Sequence, residues 1–355
     1  MKAKFWKFLL NRFQLTSKKR QKAGFTLLEL LISTIIGFII ITALLSFIVD
    51  LLQTDRKEFA NSETQREMQM ALDFIADDLR EAVYIYDNTE QSRKVEAVTA
   101  DSLKNVLGFP NEYRPILAFW KVERIPYNNP EDTEINCGGS DECKTLEIRR
   151  RSYTLVVYFQ VKNPPNDPKW KGKSRIVRYA LRKYKDVNSL AYNNGYADPK
   201  GKDSKTGKYT SPALWPFDVS GSGKISTGGS PEFPPGGPPV LVDFVDDPNI
   251  APIQANEEMK TCNSNNENSP LFTPPGEDPH YKRVPEKADD SSSSFFVCVK
   301  TVDSVKLGAN QDAIIYLRGN VDGKVPGQKT SKSNPLITLR TQAFARGVID
   351  KIIGE

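Results

Sequence analysis

The stretch of sequence that decides the fold is FTLLELLISTIIGFIIITALLSFIVDLL, residues 25–52. It contains only two charged side chains, Glu29 near its start and Asp50 near its end. As a helix with a rise of 1.5 Å per residue it spans about 42 Å, which exceeds the roughly 30 Å of a membrane's hydrocarbon core. The stretch therefore predicts one membrane-spanning helix.

Charge is distributed unevenly on the two sides of this stretch. Residues 1–24 contain eight Lys or Arg side chains and no acidic one. Such an excess predicts that residues 1–24 stay in the cytoplasm and that the body is exported. The rest of the chain has 41 basic and 44 acidic side chains, a net charge of −3 against +5 for the whole chain. The overall positive charge therefore does not indicate a nucleic-acid-binding body.

The residues around the start of the stretch form a more specific pattern. Basic side chains are followed by Gly24, then by FTLLE at residues 25–29, and then by the apolar run. This pattern resembles the prepilin-peptidase recognition site of type IV pilins and type II secretion pseudopilins. A cleaved secretory signal has a shorter apolar region and a small-residue cleavage site after it. An uncleaved signal-anchor helix is the plainer alternative.

The resemblance implies a processing pathway and a set of partners. Cleavage between Gly24 and Phe25 would remove residues 1–24 as a leader, and Phe25 would become the N-methylated first residue. The implied partners are prepilin peptidase, other pilins or pseudopilins, the inner-membrane assembly platform and the membrane, with no nucleic acid expected. The chain would cross the inner membrane once, with its body in the periplasm, before it joins a pilus-like fibre.

Glu29 stands inside the predicted membrane span. An ionised carboxylate in hydrocarbon is costly, so an acid there needs a partner. The ammonium freed at Phe25 of a neighbouring subunit is a suitable partner, and this pairing would set the register of assembly. The plainer interpretation is an acid that reaches back to the cytoplasmic interface.

The helix is predicted to continue beyond the membrane, from about residue 25 to about residue 85. Its second half, residues 53–86, is amphipathic, with apolar residues three and four apart along one face. These residues are Phe59, Met68, Ala71, Leu72, Ile75, Leu79, Ala82 and Val83. We expect this half to pack on the globular body.

The body, residues 87–355, is predicted to be an antiparallel β-sheet, which with the helix gives an α+β, pilin-like fold. Candidate strands are residues 116–122, 145–149, 153–161, 175–184, 240–245, 295–302, 313–318 and 336–344. Two polar stretches rich in Asn, Gly, Ser and Pro, residues 186–239 and 246–293, are predicted to be long loop insertions.

Two further segments carry a narrower resemblance. Residues 75–83 and the C-terminal residues 316–347 look like the larger minor subunits, the W-type minor pilins and the J-type pseudopilins of type II secretion. Residues 50–87 resemble the cyanobacterial hormogonium polysaccharide secretion pseudopilin of the C type. This implies a non-enzymatic fibre subunit that supports polysaccharide secretion and surface motility.

Other functions stay open at this point. A minor pilin at a pilus tip could serve adhesion or DNA uptake, for which the basic side chains within residues 149–185 are candidates. A J-type pseudopilin would serve protein secretion. A membrane-anchored enzyme is a further class, but the single histidine, His280, lies in a Pro-rich polar loop with no catalytic constellation around it.

Four cysteines in an exported chain suggest two disulfides. Nearest-neighbour pairing joins Cys137 to Cys143 and Cys262 to Cys298, one of three possible connectivities; free thiols are the alternative. The spacings do not fit a zinc site. The acidic clusters Asp243/Asp246/Asp247 and Asp289/Asp290 are weak candidates for calcium, because neither has an EF-hand pattern. No cofactor is otherwise expected.

Overall fold

The structure is a computed structural model. It describes residues 24–87, 103–127, 135, 137–202, 207, 210–218, 229–248, 261–278, 280–285, 294–301, 311–325 and 337–345. The chain divides into two compact units, Met1–Lys57 and Glu58–Glu355. The predicted leader, apart from Gly24, lies outside the described residues.

The described residues form three helices, and the first is by far the longest. The helices are α1 (Leu27–Arg80), α2 (Leu103–Leu107) and α3 (Asp141–Arg149). The long helix predicted from the sequence is confirmed, but its predicted end near residue 85 is wrong. Residues Ala82–Ile85 form a strand whose backbone pairs with a neighbouring strand, so α1 ends at Arg80.

The strands in the described part of the chain are β1 (Ala82–Ile85), β2 (Arg114–Arg124), β3 (Arg151–Lys162), β4 (Ser174–Leu181), β5 (Tyr184–Asp186), β6 (Ala191–Tyr192), β7 (Val240–Val245), β8 (Tyr281–Val284), β9 (Phe295–Lys300), β10 (Asp312–Gly319) and β11 (Ile337–Phe344). Seven of the eight candidate strand segments correspond to these strands. The α+β fold with an antiparallel sheet is confirmed.

Nine strands form one antiparallel sheet: eight of them follow the order β1-β2-β3-β4-β7-β10-β9-β8, and the ninth, β11, pairs with β10 off this path. Strand β11 pairs with all eight residues of β10, whereas β7 pairs with β10 only at Gly319. Strands β2 and β9 contact each other although they are far apart in strand order, so the sheet is curled. Strands β5 and β6 form a separate small hairpin.

The core lies between the sheet and the second half of α1. Met68, Leu72, Ile75 and Leu79 are completely buried and belong to the same cluster as the sheet residue Trp120. Their spacing of three and four residues is the predicted apolar face. Phe59 was assigned to that face as well, and this was wrong, because its side chain is 70% exposed.

Residues 145–149 were predicted as a strand and instead form the end of α3. Ser140 caps this helix, since its side chain accepts a hydrogen bond from Cys143 N, and Asp141 and Glu142 occupy the first turn. An acidic first turn and a Ser N-cap both stabilise a helix. Arg150 ends it in a left-handed conformation, with its backbone N–H donating to Leu146 O.

The two predicted insertions contain more structure than expected. Trp215, in residues 186–239, is completely buried and donates from its indole to Ala197 O at 2.8 Å. Strand β8, in residues 246–293, pairs with β9. These parts therefore belong to the folded body.

We predict that Gly319→Ala destabilises the body by about 1–3 kcal/mol, because it overpacks the helix–sheet contact. A Cβ at this position would lie 2.1 Å from Met68 Sδ and 3.3 Å from Thr64 Cγ2. Met68 is completely buried, so its side chain has little room to move. Thermal unfolding of the full chain in detergent, followed by near-ultraviolet circular dichroism, measures the effect.

The matched control is Gly37→Ala, since a Cβ at Gly37 would meet nothing within 4 Å. Its body should unfold as wild type does. Equal midpoints for the wild type and the Gly319 variant would contradict the close packing at this site.

Candidate functional site

The predicted cleavage bond lies immediately before α1. Gly24, Phe25 and Thr26 are non-helical, and the Phe25 side chain is 77% exposed. Thr26 caps the helix: its side-chain Oγ1 accepts from Glu29 N at 3.3 Å, and its carbonyl accepts from Leu30 N at 3.2 Å. The Gly24–Phe25 bond is thus on accessible, non-helical backbone, as a peptidase substrate needs.

Glu29 lies in a local sequence pattern that the sequence reasoning missed. Thr26 and Glu29 have the spacing of a capping box, in which a Thr at the N-cap is followed three residues later by Glu. A carboxylate in the first turn is also stabilised by the helix dipole. The signal was present in the sequence as Thr-x-x-Glu. The structure shows the Thr26 half of this pattern, in which the backbone N–H of Glu29 is the donor, so a test of Glu29 has to separate charge from local effects on the helix.

The apolar part of α1 is exposed on all sides. Its most apolar 18-residue window has a mean hydropathy of 2.7, and none of that window is buried. In the described part of the chain it is the one helix long and apolar enough to cross a membrane. A helix that is apolar all round requires an apolar environment, which fits a membrane anchor.

In the second unit, a buried ionic cluster fixes α1 to the sheet. Its centre is Asp78, whose side chain is 8% exposed. Lys121 Nζ lies 2.9 Å from Asp78 Oδ1, and Arg178 Nε lies 2.7 Å from Oδ2. The Tyr158 hydroxyl donates to Oδ2 at 2.6 Å. Lys121 also pairs with Glu81, at 2.9 Å. Strands β2, β3 and β4 each contribute one partner.

The pKa values of this cluster show that the carboxylate is held ionised. Burial alone would raise the pKa of Asp78, but the hydrogen bond and charge of Arg178, together with Tyr158 and Lys121, outweigh it and lower the pKa below its ordinary value of 3.8. Burial would lower the pKa of Lys121, but Asp78 and Glu81 raise it. Burial and the negative charge of Asp78 raise the pKa of Tyr158, so its hydroxyl stays a donor.

A second contact ties α1 to the segment after β10. Lys324 Nζ lies 3.0 Å from Glu67 Oε2 and 3.3 Å from Glu63 Oε2. It also donates to Thr64 Oγ1 at 3.2 Å. This contact is less buried on its acidic side, so we expect it to contribute less than the Asp78 cluster.

Both disulfides are present with the connectivity proposed from the sequence. Cys137 is bonded to Cys143 and Cys262 to Cys298, each with Cα atoms 5.5 Å apart. The first holds the start of α3, and the second joins a loop residue to β9. Glu147 lies close to the Cys137–Cys143 pair. Because both sulfurs are in the disulfide, they do not act as thiolate metal ligands.

The first acidic cluster is already engaged by protein donors. Asp243 accepts hydrogen bonds from Lys171 N, Gly172 N and Asn163 Nδ2. Asp246 forms ion pairs with Arg318 and Lys173. Asp247 forms an ion pair with Lys162. A calcium ion here would have to displace these contacts, so calcium binding stays a weak prediction. Asp289 and Asp290 lie outside the described residues.

The basic side chains within residues 149–185 do not form a continuous unpaired track. Five of them are in ion pairs: Lys162 with Asp247, Lys173 with Asp246 and Asp322, Arg178 with Asp78, Arg182 with Glu123, and Lys183 with Glu142. A cation already paired with a carboxylate is less available to a phosphate backbone. The arrangement therefore gives no support to DNA binding along this segment.

His280 contacts an exposed acid. Its Nε2 lies 3.1 Å from Glu277 Oε2, and both side chains are about half exposed or more. It is therefore a surface contact between two side chains that are three residues apart in the chain.

We predict that Asp78→Asn destabilises the body by about 3 kcal/mol, because Lys121 and Arg178 lose their buried counter-charge. The wild type should also lose stability as pH falls below 3.8, the ordinary pKa of the carboxyl. There the unfolded chain takes up a proton before the folded one does. The variant should show a shallower loss in that window. Denaturant unfolding at a series of pH values measures both effects.

The control is Asp77→Asn, the neighbouring and largely exposed acid that pairs with Arg80. Its effect should be within about 1 kcal/mol. If the two variants had equal stabilities and equal pH dependence, Asp78 would not be the anchor of α1.

Comparisons with known proteins bear on the N-terminal region. Residues 19–45 match the family model described as the prokaryotic N-terminal methylation motif. No curated protein and no solved structure matches the chain. The matched segment contains Gly24, Phe25 and Glu29, and it extends well into α1. The chain thus carries a type IV pilin-like N-terminal methylation signal, which points to a structural fibre subunit that is processed by prepilin peptidase and assembles with other pilins.

Proposed function

We propose that this chain is a minor pseudopilin, a structural subunit of a type IV pilus-like or type II secretion-like fibre. The observation that carries this proposal is the methylation motif at residues 19–45, which runs directly into the 54-residue helix α1. The first part of α1 is exposed and apolar, and the second part is buried on one face against a β-sheet. This combination serves a protein that is stored in a membrane and then assembled through its helix.

Processing is the first step of the proposed function. Prepilin peptidase cuts between Gly24 and Phe25 on the cytoplasmic side of the inner membrane, removes residues 1–24 and methylates the amine of Phe25. The eight basic side chains before the cut hold the N-terminus in the cytoplasm, and the body enters the periplasm. Two disulfides in the body agree with an oxidising compartment.

Assembly is the second step, and it depends on Glu29. The new amine at Phe25 and the carboxylate of Glu29 lie at the same end of α1. In a fibre, the amine of one subunit pairs with Glu29 of its neighbour, because both charges would otherwise be uncompensated in hydrocarbon. The pairing forms only in one register, so it selects the correct axial offset between subunits.

We predict that Glu29→Gln is processed normally but enters fibres at least about tenfold less than wild type, the effect expected if one charge pair of about 1.4 kcal/mol or more is lost. A Gln at this position keeps the capping box, so the variant removes charge without removing the cap. Immunoblotting of sheared fibres against the membrane fraction, together with the mass of the mature chain, measures assembly and processing.

Two comparison variants separate the steps. Glu29→Ala removes the whole carboxylate side chain and should assemble no better than Glu29→Gln. Gly24→Val should stay at the unprocessed mass while still inserting into the membrane. Normal incorporation of Glu29→Gln into fibres would refute the register argument.

The proposal also concerns the substrate that the fibre exports. The resemblance of residues 50–87 to a polysaccharide secretion pseudopilin favours polysaccharide secretion coupled to surface motility. Adhesion or DNA uptake at a pilus tip, and protein secretion by a J-type pseudopilin, are the alternatives. The ion pairing of Lys162, Lys173, Arg178 and Arg182 makes the DNA alternative the less favoured one.

We predict that deletion of this protein in its native host lowers exported polysaccharide, and that wild type restores export while Glu29→Gln does not. The expected cause is loss of a working fibre, which the complementation tests directly. Assay of cell-free polysaccharide by uronic acid and neutral sugar content gives the measurement. Unchanged export in the deletion strain would reject the polysaccharide role and leave the fibre-subunit proposal in place.

A further inference from the structure

A cavity of about 730 Å³ lies beside α3, far along the chain from the N-terminal signal. Its lining comes from α3, one residue of β2, the start of β3, the start of β5 and Asp198 after β6. The residues that matter below are Glu142, Arg149, Arg151, Tyr153, Tyr184 and Asp198. The volume is within the range of sites that bind small molecules.

The wall formed by α3 is held firmly in place. Cys143 is bonded to Cys137, and Arg150 O at the end of the helix accepts from Ile125 N at 3.0 Å. Glu142 accepts from the Tyr184 hydroxyl at 2.7 Å and from the Tyr192 hydroxyl. A cavity with fixed walls is preorganised for a ligand.

The acidic side of the cavity is partly neutralised by the protein itself. Lys183 Nζ lies 2.9 Å from Glu142 Oε1, in addition to the two tyrosine hydroxyls. Those donors outweigh the effect of burial and lower the pKa of Glu142, so this carboxylate is ionised and already occupied. Asp198 accepts one backbone N–H, from Lys200 at 3.0 Å, and has lone pairs left for other donors.

The basic side of the cavity is different. Arg149 and Arg151 make no ion pair and no side-chain hydrogen bond with any residue that the structure describes, although both line the cavity. The Tyr153 hydroxyl likewise has no hydrogen-bond partner in the described part of the chain, and its ring is half-buried. Five guanidinium donors on each arginine and one phenol are therefore available to a ligand.

Helix-dipole stabilisation accounts for only one of the two arginines. Arg149 is in the last turn of α3, where a cation is favourable. Arg151 is the first residue of β3 and is beyond that helix, so the dipole gives no reason for it. Arg149 and Arg151 are both exposed, flank one residue and line the same cavity without a carboxylate partner in the described part of the chain.

We infer that this cavity binds a small polyhydroxy carboxylate, that is, a sugar that carries a carboxylate group. Arg149 and Arg151 bind the carboxylate, since a guanidinium matches the two oxygens of a carboxylate with paired donors. The half-buried ring of Tyr153 offers an apolar face to the sugar ring, and its hydroxyl offers a donor or acceptor. Asp198 accepts from the sugar hydroxyls. This inference goes beyond the fibre role and does not depend on it.

The test is isothermal titration calorimetry of the full-length protein in detergent micelles with three matched probes. Cellobiouronic acid has a sugar ring and a carboxylate, cellobiose has the rings without the carboxylate, and acetate has the carboxylate alone. We expect saturable binding of cellobiouronic acid. We expect cellobiose and acetate to bind at least about tenfold more weakly, because each lacks one half of the recognition.

Three variants identify the site. Arg149→Gln and Arg151→Gln should each weaken binding of cellobiouronic acid about tenfold or more while binding of cellobiose stays as in wild type. Arg340→Gln, an exposed arginine of β11 that does not line the cavity, is the control and should bind as wild type. Unchanged thermal midpoints show that the variants are folded.

Each other outcome overturns the inference. No saturable binding of cellobiouronic acid by the folded wild type would remove the site. Equal affinity for acetate would show a simple anion contact in place of a sugar site. Equal losses in Arg149→Gln and Arg340→Gln would show a general charge effect. None of these results changes the expected behaviour of Gly24 or Glu29 variants in fibre assembly, so the two proposals fail separately.

Discussion

The charge cluster at Asp78 is the contact on which the body's attachment to α1 depends. One carboxylate on the helix accepts from three different strands, through Lys121, Tyr158 and Arg178. Burying charge is costly unless every charge is paired and hydrogen-bonded, and here the pairing is complete enough to lower the pKa of Asp78. The apolar residues around it supply most of the burial energy, whereas the ionic contact fixes the rotation and height of the helix face that is buried.

Helix α1 has to serve two environments. Its first part is apolar on every side and bears one acid, Glu29, in its first turn, whereas its second part has one buried face and a charged outer face. Under the proposed function the two parts of α1 have different roles. The first part is soluble in lipid and pairs with other subunits, and the second carries the folded body. The same chain can then be stored in a membrane and assembled into a fibre without refolding its body.

The sequence predicted the parts of the structure that have strong local signals. The long helix and the antiparallel sheet follow from spacing and composition, whereas the N-terminal signal was read from a family resemblance. The disulfide connectivity is the nearest-neighbour one of three possibilities. The end of α1 was missed because residues 82–85 continue the helical spacing, and only pairing with β2 makes them a strand. Helix α3 was missed because 145–149 alternates polar and apolar residues, although Ser140 and two acids form a helix start. The Asp78 cluster joins residues up to 100 positions apart, which no local pattern reports.

The central claim is that Gly24 and Phe25 flank a processed bond at the start of a fibre-forming helix. Intact-mass and N-terminal peptide analysis of the protein purified from its native membranes tests it most directly. We predict a mature chain that begins at Phe25 and carries one methyl group on its amine. A chain that still begins at Met1, or one cut at a different bond, would contradict it.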